Sequence, residues 1–210
     1  STTPPVINNN GVVAFKADSS PTGIPEGDAL FLGTPGNLRM ISGQGAPLPG
    51  VRGRPGHGLG SMLHLDDTDN LVLHVGGTRE GSGPTVFNPT LWQSRTGKPI
   101  VPQEDREFVV SGFRMASGGP VCGVASVRNP DWDPKKSFGH AGVPRNLRAI
   151  WIWDGGRLSV IAKEGDPAPG LGAGLRLAGD AGSVTVRQET PLINPRGDVL
   201  FEFNITRPGI

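Results

Sequence analysis

The run Asp66–Asn70 is the densest group of hard oxygen ligands in the sequence. Carboxylates that alternate with Thr and Asn side chains are donors that Ca²⁺ prefers in proteins. Leu71 and Glu80 do not fit the Gly and Glu positions of an EF-hand loop, and runs of Asp and Asn are also common in solvated hairpin turns. Both interpretations stay open from the sequence. The candidate Ca²⁺ ligands are Asp66, Asp67 and Asp69.

A second candidate site lies between Asn129 and Arg148, where aromatic and cationic side chains are mixed. Long loops on a rigid β scaffold are common places for binding residues. A cation beside an aromatic ring could hold a glycan, an acidic polymer or a neighbouring subunit, and a merely solvated loop is the other interpretation. The candidate binding residues are Trp132, Lys135, Lys136, Arg145 and Arg148.

The pair Glu164 and Asp166 could act as an acid and a base, because paired carboxylates are a common catalytic arrangement. A similar passage earlier in the chain has Gln44 and Ala46 at the corresponding positions, so such a site would be confined to one copy. The sequence contains no Gly-x-Ser-x-Gly nucleophile motif, and no glycine-rich segment opens a helix as a phosphate-binding loop does. We therefore assign no catalytic residue and no cofactor, and we predict a noncatalytic protein.

The charges of the 210 residues nearly balance, since 20 Lys and Arg stand against 19 Asp and Glu. This balance favours neither a nucleic-acid surface nor a membrane surface. No apolar run approaches the roughly 20 residues of a membrane helix. The single cysteine, Cys122, excludes an intramolecular disulfide. We predict neither nucleic-acid binding nor a membrane span.

The elements that must position the candidate residues are tandem repeats. The phrase Pro5–Phe15 recurs in part 186 positions later as Pro191–Phe201, and residues 29–50 recur in part 120 positions later as 149–170. If these offsets are three periods and two, the repeat has about 60 residues, which suits a tandem β architecture. We predict a single repeat domain over residues 1–210, with repeats at approximately 4–50, 51–105 and 106–170 and a half repeat at 171–210.

Each full repeat contains two kinds of hairpin. The first kind has a turn such as Asn8–Gly11, followed by an apolar alternation in which Val13, Phe15, Val199 and Phe201 are predicted to face the core. The second kind pairs a strand such as 149–153 with a return strand. In the first copy of this hairpin, the first strand is residues 29–32. Both second hairpins leave through a Pro-rich passage, which is predicted to be an extended connector.

Counting hairpins gives four of the first kind and three of the second, or fourteen strands. Each full repeat then carries four strands, the content of one propeller blade. The predicted fold is all-β: a propeller-like tandem repeat of about 60-residue four-stranded blades, with roughly 3.5 repeats.

The segment Asn8–Phe15 resembles the signature of the choice-of-anchor tandem-repeat proteins, which are named for an Asn-x-x-Gly-x-x-Ala-Phe motif. The later copy has Leu200 where the motif has Ala. The resemblance extends to the Glu164–Gly170 passage. It implies a bacterial, exported, surface-located protein with a β-repeat fold, and it implies no particular activity.

The unequal hairpin count has a consequence for association. A half repeat leaves strand edges or a sheet face that natural proteins normally cover. The chain could be a fragment, close on itself, or associate with other copies into a closed oligomer or a filament. We predict a secreted, extracellular structural or adhesive protein that associates with copies of itself or a surface partner through its terminal half repeats. The alternatives are a secreted polysaccharide-active enzyme and a glycan-binding propeller.

Overall fold

The computed structural model describes residues 4–18, 28–43, 48–52, 54–55, 59–76, 78–79, 85–87, 90–101, 108–132, 145–178 and 190–207. Every regular element in these ranges is a β-strand, which confirms the all-β prediction. The same residues include no helix that could span a membrane. The chain divides into two compact units, Ser1–Arg106 with Met115–Pro120, and Glu107–Arg114 with Val121–Ile210. The predicted single domain stays a prediction.

The first repeat forms a four-stranded antiparallel sheet whose strands neighbour one another in chain order. Alternating apolar residues and two short turns make this the simplest pairing of consecutive strands. Its strands are β1 (Val6–Ile7), β2 (Val13–Asp18), β3 (Asp28–Thr34) and β4 (Asn37–Ser42).

The strands of the second repeat are β5 (Arg54–Pro55), β6 (Leu59–Leu65), β7 (Leu71–Val75), β8 (Thr78–Arg79), β9 (Thr85–Phe87), β10 (Thr90–Gln93) and β11 (Lys98–Pro99). They form another four-stranded sheet, in the order β11-β10-β7-β6, and a small three-stranded sheet in the order β5-β8-β9. Strands β8 and β9 lie between β7 and β10 in the chain, so they are an insertion into the four-stranded pattern.

The strands of the third repeat and the half repeat are β12 (Phe108–Met115), β13 (Val121–Arg128), β14 (Asn146–Asp154), β15 (Arg157–Lys163), β16 (Arg176–Ala178), β17 (Leu192–Ile193), β18 (Val199–Leu200) and β19 (Asn204–Thr206). The third repeat forms a four-stranded sheet in chain order, and the half repeat forms the pairs β17-β18 and β16-β19. Three four-stranded antiparallel sheets among the described residues match the predicted strand content of three full repeats. Their arrangement as propeller blades stays a prediction.

All four first hairpins close with the same five-residue turn. In each, the N–H of the first residue donates to the C=O of the fifth, and the N–H of the fourth donates to the C=O of the first, at 2.9 to 3.2 Å. The fourth residue has a left-handed backbone, as at Gly11 (φ 76°) and Asp69 (φ 62°). The turns begin at Asn8, Asp66, Ala116 and Asn194.

A side-chain oxygen reinforces three of these turns. The Asn8 Oδ1 accepts hydrogen bonds from the N–H groups of Asn10 and Val12, at 3.0 and 2.9 Å. Asp66 and Asn194 make the same two bonds in their own turns. This local bonding explains why the repeated motif begins with an Asn or Asp.

The second hairpins of the first and third repeats also match in detail. Each has a register shift in its outer pair, between Leu30 and Phe31 in the first copy and between Ile150 and Trp151 in the second. These positions are 120 residues apart, the offset at which the sequence repeats. The two repeats therefore share a β-bulge at the same position.

The buried face of β2 differs from the prediction. Ala14 and Leu32 are paired and belong to the core of the first unit, whereas Val13 and Phe15 are only half-buried. The prediction was wrong because Val13, Ala14 and Phe15 are all apolar, so the start of β2 does not show which face is buried. Ala14 pairs with Leu32 and Lys16 with Leu30, and both leucines of β3 are buried. In the half repeat, Val199 and Phe201 do pack against the core of the second unit, as predicted.

The passage after β15 is folded into turns and is not the extended connector that we predicted. The Gly165 N–H donates to Leu177 O at 2.8 Å, and the Ala168 N–H donates to Leu175 O at 3.0 Å. Pro167 forms an isolated bridge with Arg176. Proline lacks a donor, but the residues around it pair with β16, and this pairing folds the passage back.

Candidate functional site

The second compact unit contains a pocket of about 460 Å³ where five separate segments meet. They are the residues that follow β13, Leu147 on β14, the end of β15 with its turn, strand β16, and the end of β19. Its volume is within the usual range of small-molecule sites, about 300 to 1,000 Å³. It is lined by Asn129, Pro130, Asp131, Leu147, Lys163, Glu164, Gly165, Asp166, Arg176, Leu177, Ala178 and Thr206.

The turn Lys163–Asp166 is held by both backbone and side-chain hydrogen bonds. The Asp166 N–H donates to Lys163 O at 3.0 Å, and the Lys163 N–H donates to Asp166 Oδ2 at 2.8 Å. The Leu177 N–H donates to Asp166 O at 2.9 Å, which ties the turn to β16. The Asp166 carboxylate is therefore fixed in place on one side of the pocket.

The Glu164 carboxylate is fixed by the opposite strand. The Glu164 N–H donates to Arg148 O at 2.9 Å, and the Arg148 N–H donates back to Glu164 Oε2 at 3.2 Å. The Arg148 guanidinium lies over the Phe203 ring, 5.4 Å from its centroid. Within the described ranges its buried Nε has no hydrogen-bond partner. Arg148 therefore packs against the core, and its backbone positions Glu164.

The predicted binding residues fall into three groups. Trp132 and Arg145 come together, with the guanidinium 5.3 Å from the ring centroid. Arg148 has the different contacts just described. Lys135 and Lys136 lie outside the described residues. The turn that carries Trp132 is anchored at Asn129, whose N–H donates to Arg145 O at 3.0 Å.

The pocket combines both signs of charge with an apolar wall. Its carboxylates belong to Asp131, Glu164 and Asp166, and its cations to Lys163 and Arg176. The Arg176 Nη1 donates to Gly165 O at 2.7 Å, and among the described residues the other guanidinium nitrogens make no further hydrogen bond. The sequence identified the Glu164 and Asp166 pair but missed the other three residues. The replacement of Gln44 and Ala46 by carboxylates was the signal that pointed to this turn.

The acidic run Asp66–Asn70 forms the first-hairpin turn of the second repeat and bonds to the corresponding turn of the first. The Asn8 Nδ2 donates to Asp69 Oδ1 at 2.7 Å, and the Asn9 Nδ2 donates to Asp67 Oδ2 at 2.9 Å. We call these bonds between neighbouring turns the turn ladder. Among the described residues, no group of three or more His, Cys, Asp or Glu side chains is arranged to hold a metal ion. The Ca²⁺ site stays a prediction.

An exposed apolar pair lies on the half repeat. Leu192 and Leu200 are cross-strand partners on β17 and β18, and they are 53% and 70% exposed. They line a second, smaller pocket of about 240 Å³ together with Phe201. Exposed apolar side chains that lie next to each other are candidates for contact with another protein surface. We call this surface the half-repeat face.

Comparisons of the chain with protein-family models, with curated proteins and with solved structures find no match. The resemblance to the choice-of-anchor tandem-repeat proteins therefore stays a prediction. The functional assignment depends on the chemistry of the pocket and of the half-repeat face.

Proposed function

We propose that this protein is a noncatalytic, extracellular structural or adhesive repeat protein whose copies associate through the half-repeat face. In this proposal the four-stranded sheets are the blades of a propeller-like array, and export follows from the resemblance of the Asn8–Phe15 motif. The observation that carries the proposal is the exposure of Leu192 and Leu200 at positions that are covered in the first repeat.

The repeat offset shows which surface the half-repeat face corresponds to. Leu192 and Leu200 correspond to Val6 and Ala14, which are also cross-strand partners. Ala14 is fully buried in the core of the first unit, and Val6 packs against that core. Strands β1 and β2 both contact β6 of the second repeat. In the first repeat, a following sheet therefore covers this face.

The turn of the half repeat also differs from its counterpart. The Asn8 Nδ2 donates to Asp66 O in the turn of the next repeat, at 2.8 Å. The corresponding Asn194 Nδ2 donates within its own turn, to Asp198 Oδ2 at 2.8 Å. Both residues of the Arg196–Asp198 ion pair in this turn are largely exposed. The side-chain amide that bonds to the neighbouring repeat at Asn8 therefore bonds within its own turn at Asn194.

A second copy could cover the half-repeat face. The first sheet leaves Ile7 69% exposed, on the face opposite to Ala14, and Phe15 on that face is half-buried. Placing this face on Leu192 and Leu200 of another copy would continue the order of the repeats. Such a head-to-tail contact closes into a ring or extends into a filament. A stable contact of this kind buries roughly 1,000 Å² or more, so it would extend well beyond the leucine pair.

Solution mass tests this association. We expect light scattering of the chain to give multiples of 21.9 kDa that depend on concentration. Leu200→Lys should return the protein to the monomer mass, because it puts a charge at the centre of an apolar contact. Leu171→Lys is the matched control, since Leu171 is 50% exposed on a different segment. A wild-type chain that stays at 21.9 kDa at all concentrations would contradict the proposal.

A polysaccharide-active enzyme is the second candidate function. It is favoured by one observation, namely that Glu164 and Asp166 line the same pocket. Acid and base catalysis of glycoside cleavage requires two such carboxylates. Release of reducing sugar from soluble polysaccharides by the wild type, lost in Glu164→Gln, would support the enzyme. If the wild type releases no more reducing sugar than Glu164→Gln, this result would contradict the enzyme.

A further inference from the structure

We call the 460 Å³ pocket lined by Glu164, Asp166 and Arg176 the Glu164 pocket. We infer that it binds a neutral sugar, as a mono- or disaccharide or as the end of a longer oligosaccharide. This inference does not depend on the association through the half-repeat face. The sequence placed a candidate binding site in the loop that follows β13. The inference adds Lys163, Asp166 and Arg176 to that site, and these residues lie outside the loop.

The wall of the pocket suits the carbon face of a sugar ring. Leu177 is buried, Leu147 and Ala178 are half-buried, and all three line the pocket. A pyranose ring presents C–H groups on its faces and hydroxyl groups around its edge. An apolar wall with polar groups around it is the usual design of a site for such a ligand.

The charged groups of the pocket favour hydroxyl groups over a charged ligand. The carboxylates of Asp131, Glu164 and Asp166 accept hydrogen bonds, and the groups of Lys163 and Arg176 donate them. A hydroxyl group can do both. A polyanion would be repelled by the three carboxylates and a polycation by the two cations, so like-charge repulsion would weaken the binding of both. Hydrogen bonds from a neutral hydroxyl to a charged group are stronger than those between neutral groups.

The carboxylates are held in position before any ligand arrives. Backbone N–H groups bind Glu164 Oε2 at 3.2 Å and Asp166 Oδ2 at 2.8 Å. The second oxygen of each carboxylate has no partner within the described part of the chain. Binding through these oxygens would cost little side-chain entropy, because the side chains are already ordered.

The test is a titration of the isotope-labelled full chain, followed by amide chemical shifts in nuclear magnetic resonance spectra. The probes are cello-, malto-, laminari-, manno- and xylo-oligosaccharides, with oligogalacturonate and glucosamine oligomers as charged comparators. We expect at least one neutral probe to shift the amides of Lys163, Gly165 and Leu177 in a saturable manner, at concentrations on the order of 10 mM or below.

The variant Glu164→Gln should weaken binding of that probe by about tenfold or more, because a charged acceptor is lost. The sequence of the first repeat has Gln44 at the corresponding position, and glutamine has nearly the same shape as glutamate, so we expect the variant to fold. Asp154→Asn, at an exposed hairpin turn outside the pocket, should bind as the wild type does. The inference is overturned by no shift at these amides with any neutral probe, by equal affinity in Glu164→Gln, or by tighter binding of either charged comparator.

Discussion

Asn9 and Asp67 are joined by two hydrogen bonds: the Asn9 backbone N–H donates to Asp67 Oδ1 at 3.0 Å, and its Nδ2 donates to Asp67 Oδ2 at 2.9 Å. The two residues lie in corresponding turns of consecutive repeats. The Asn10 Nδ2 adds a third bond, to the Asp67 backbone C=O, at 2.6 Å. The turn ladder thus links the first two sheets outside their hydrophobic core.

Removing the Asp67 carboxylate should weaken this link. We expect Asp67→Ala to lower the free energy of unfolding by roughly 1 kcal/mol, a modest value because the residue is exposed and water competes for its bonds. Urea denaturation measures the change. Asp154→Ala removes an exposed carboxylate from a turn outside the ladder and should change the stability by less than about 0.5 kcal/mol. Equal effects of the two variants would show that the ladder adds no stability.

Asp66 is expected to tolerate asparagine and not alanine. Its Oδ1 accepts hydrogen bonds from the N–H groups of Thr68 and Asn70 at 2.8 and 2.9 Å, and an amide oxygen can accept the same bonds. Asn8 and Asn194 do so in their own turns. We expect Asp66→Ala to cost roughly 2 kcal/mol and Asp66→Asn to cost less than about 0.5 kcal/mol in urea denaturation. A large loss in Asp66→Asn would mean that the charge, and not the turn, is what the fold requires.

The hairpins were predictable from the sequence because their signals are local. Turn residues such as Asn194 and Gly197 and the two-residue turn between Asp154 and Arg157 each define a hairpin within a few positions. The buried face of β2 was not predictable, because Val13 and Ala14 are both apolar. Which of the two is buried depends on how β2 pairs with β3, and the residues of β2 alone do not show this pairing.

A methyl group at Gly123 should destabilise the third sheet severely. A Cβ there would clash with Gly112 O and lie 2.6 Å from the Trp151 ring, so backbone and a buried indole would both have to move. We expect Gly123→Ala to cost about 3 kcal/mol or more, or to prevent folding. Gly156→Ala is the control, since a Cβ at Gly156 meets nothing within 4 Å. Circular dichroism during thermal unfolding compares the two, and equal melting temperatures would contradict the close approach.

Cys122 should be an unreactive thiol. It is fully buried, and its Sγ donates to Pro191 O at 3.5 Å. Burial raises the pKa of the Cys122 thiol to about 11, although the nearby Arg114 guanidinium opposes the shift. We expect Ellman's reagent to label the thiol in urea and not in the native protein at neutral pH. Rapid labelling of the native protein would show that the site opens.

The raised pKa of Cys122 also predicts a pH dependence of stability. The folded protein favours the protonated thiol, so this contribution is complete below 9.0, the value for an unburied thiol, and is lost as the pH rises to about 11. Wild-type stability should therefore fall more steeply over this range than that of Cys122→Ala. Parallel curves for the two proteins in urea denaturation would contradict the shift.

The Glu164 pocket shows what sequence reasoning could and could not reach. The loop after β13 and the Glu164 and Asp166 pair each stood out by their residue types. Their meeting could not be predicted, because it depends on the pairing of the turn with Leu177 and on the bonds between Glu164 and Arg148. Long-range contacts of this kind leave no periodic signal in the sequence.

The shared bulge gives the outer strand pairs of the first and third repeats the same register. Leu30 pairs with Ser42 and Ile150 pairs with Ala162, in the same register relative to the shift. Strand β15 could therefore pair with β3 without slipping, and β4 with β14. During refolding, such exchanged pairings would compete with the native ones and slow the recovery of the native state.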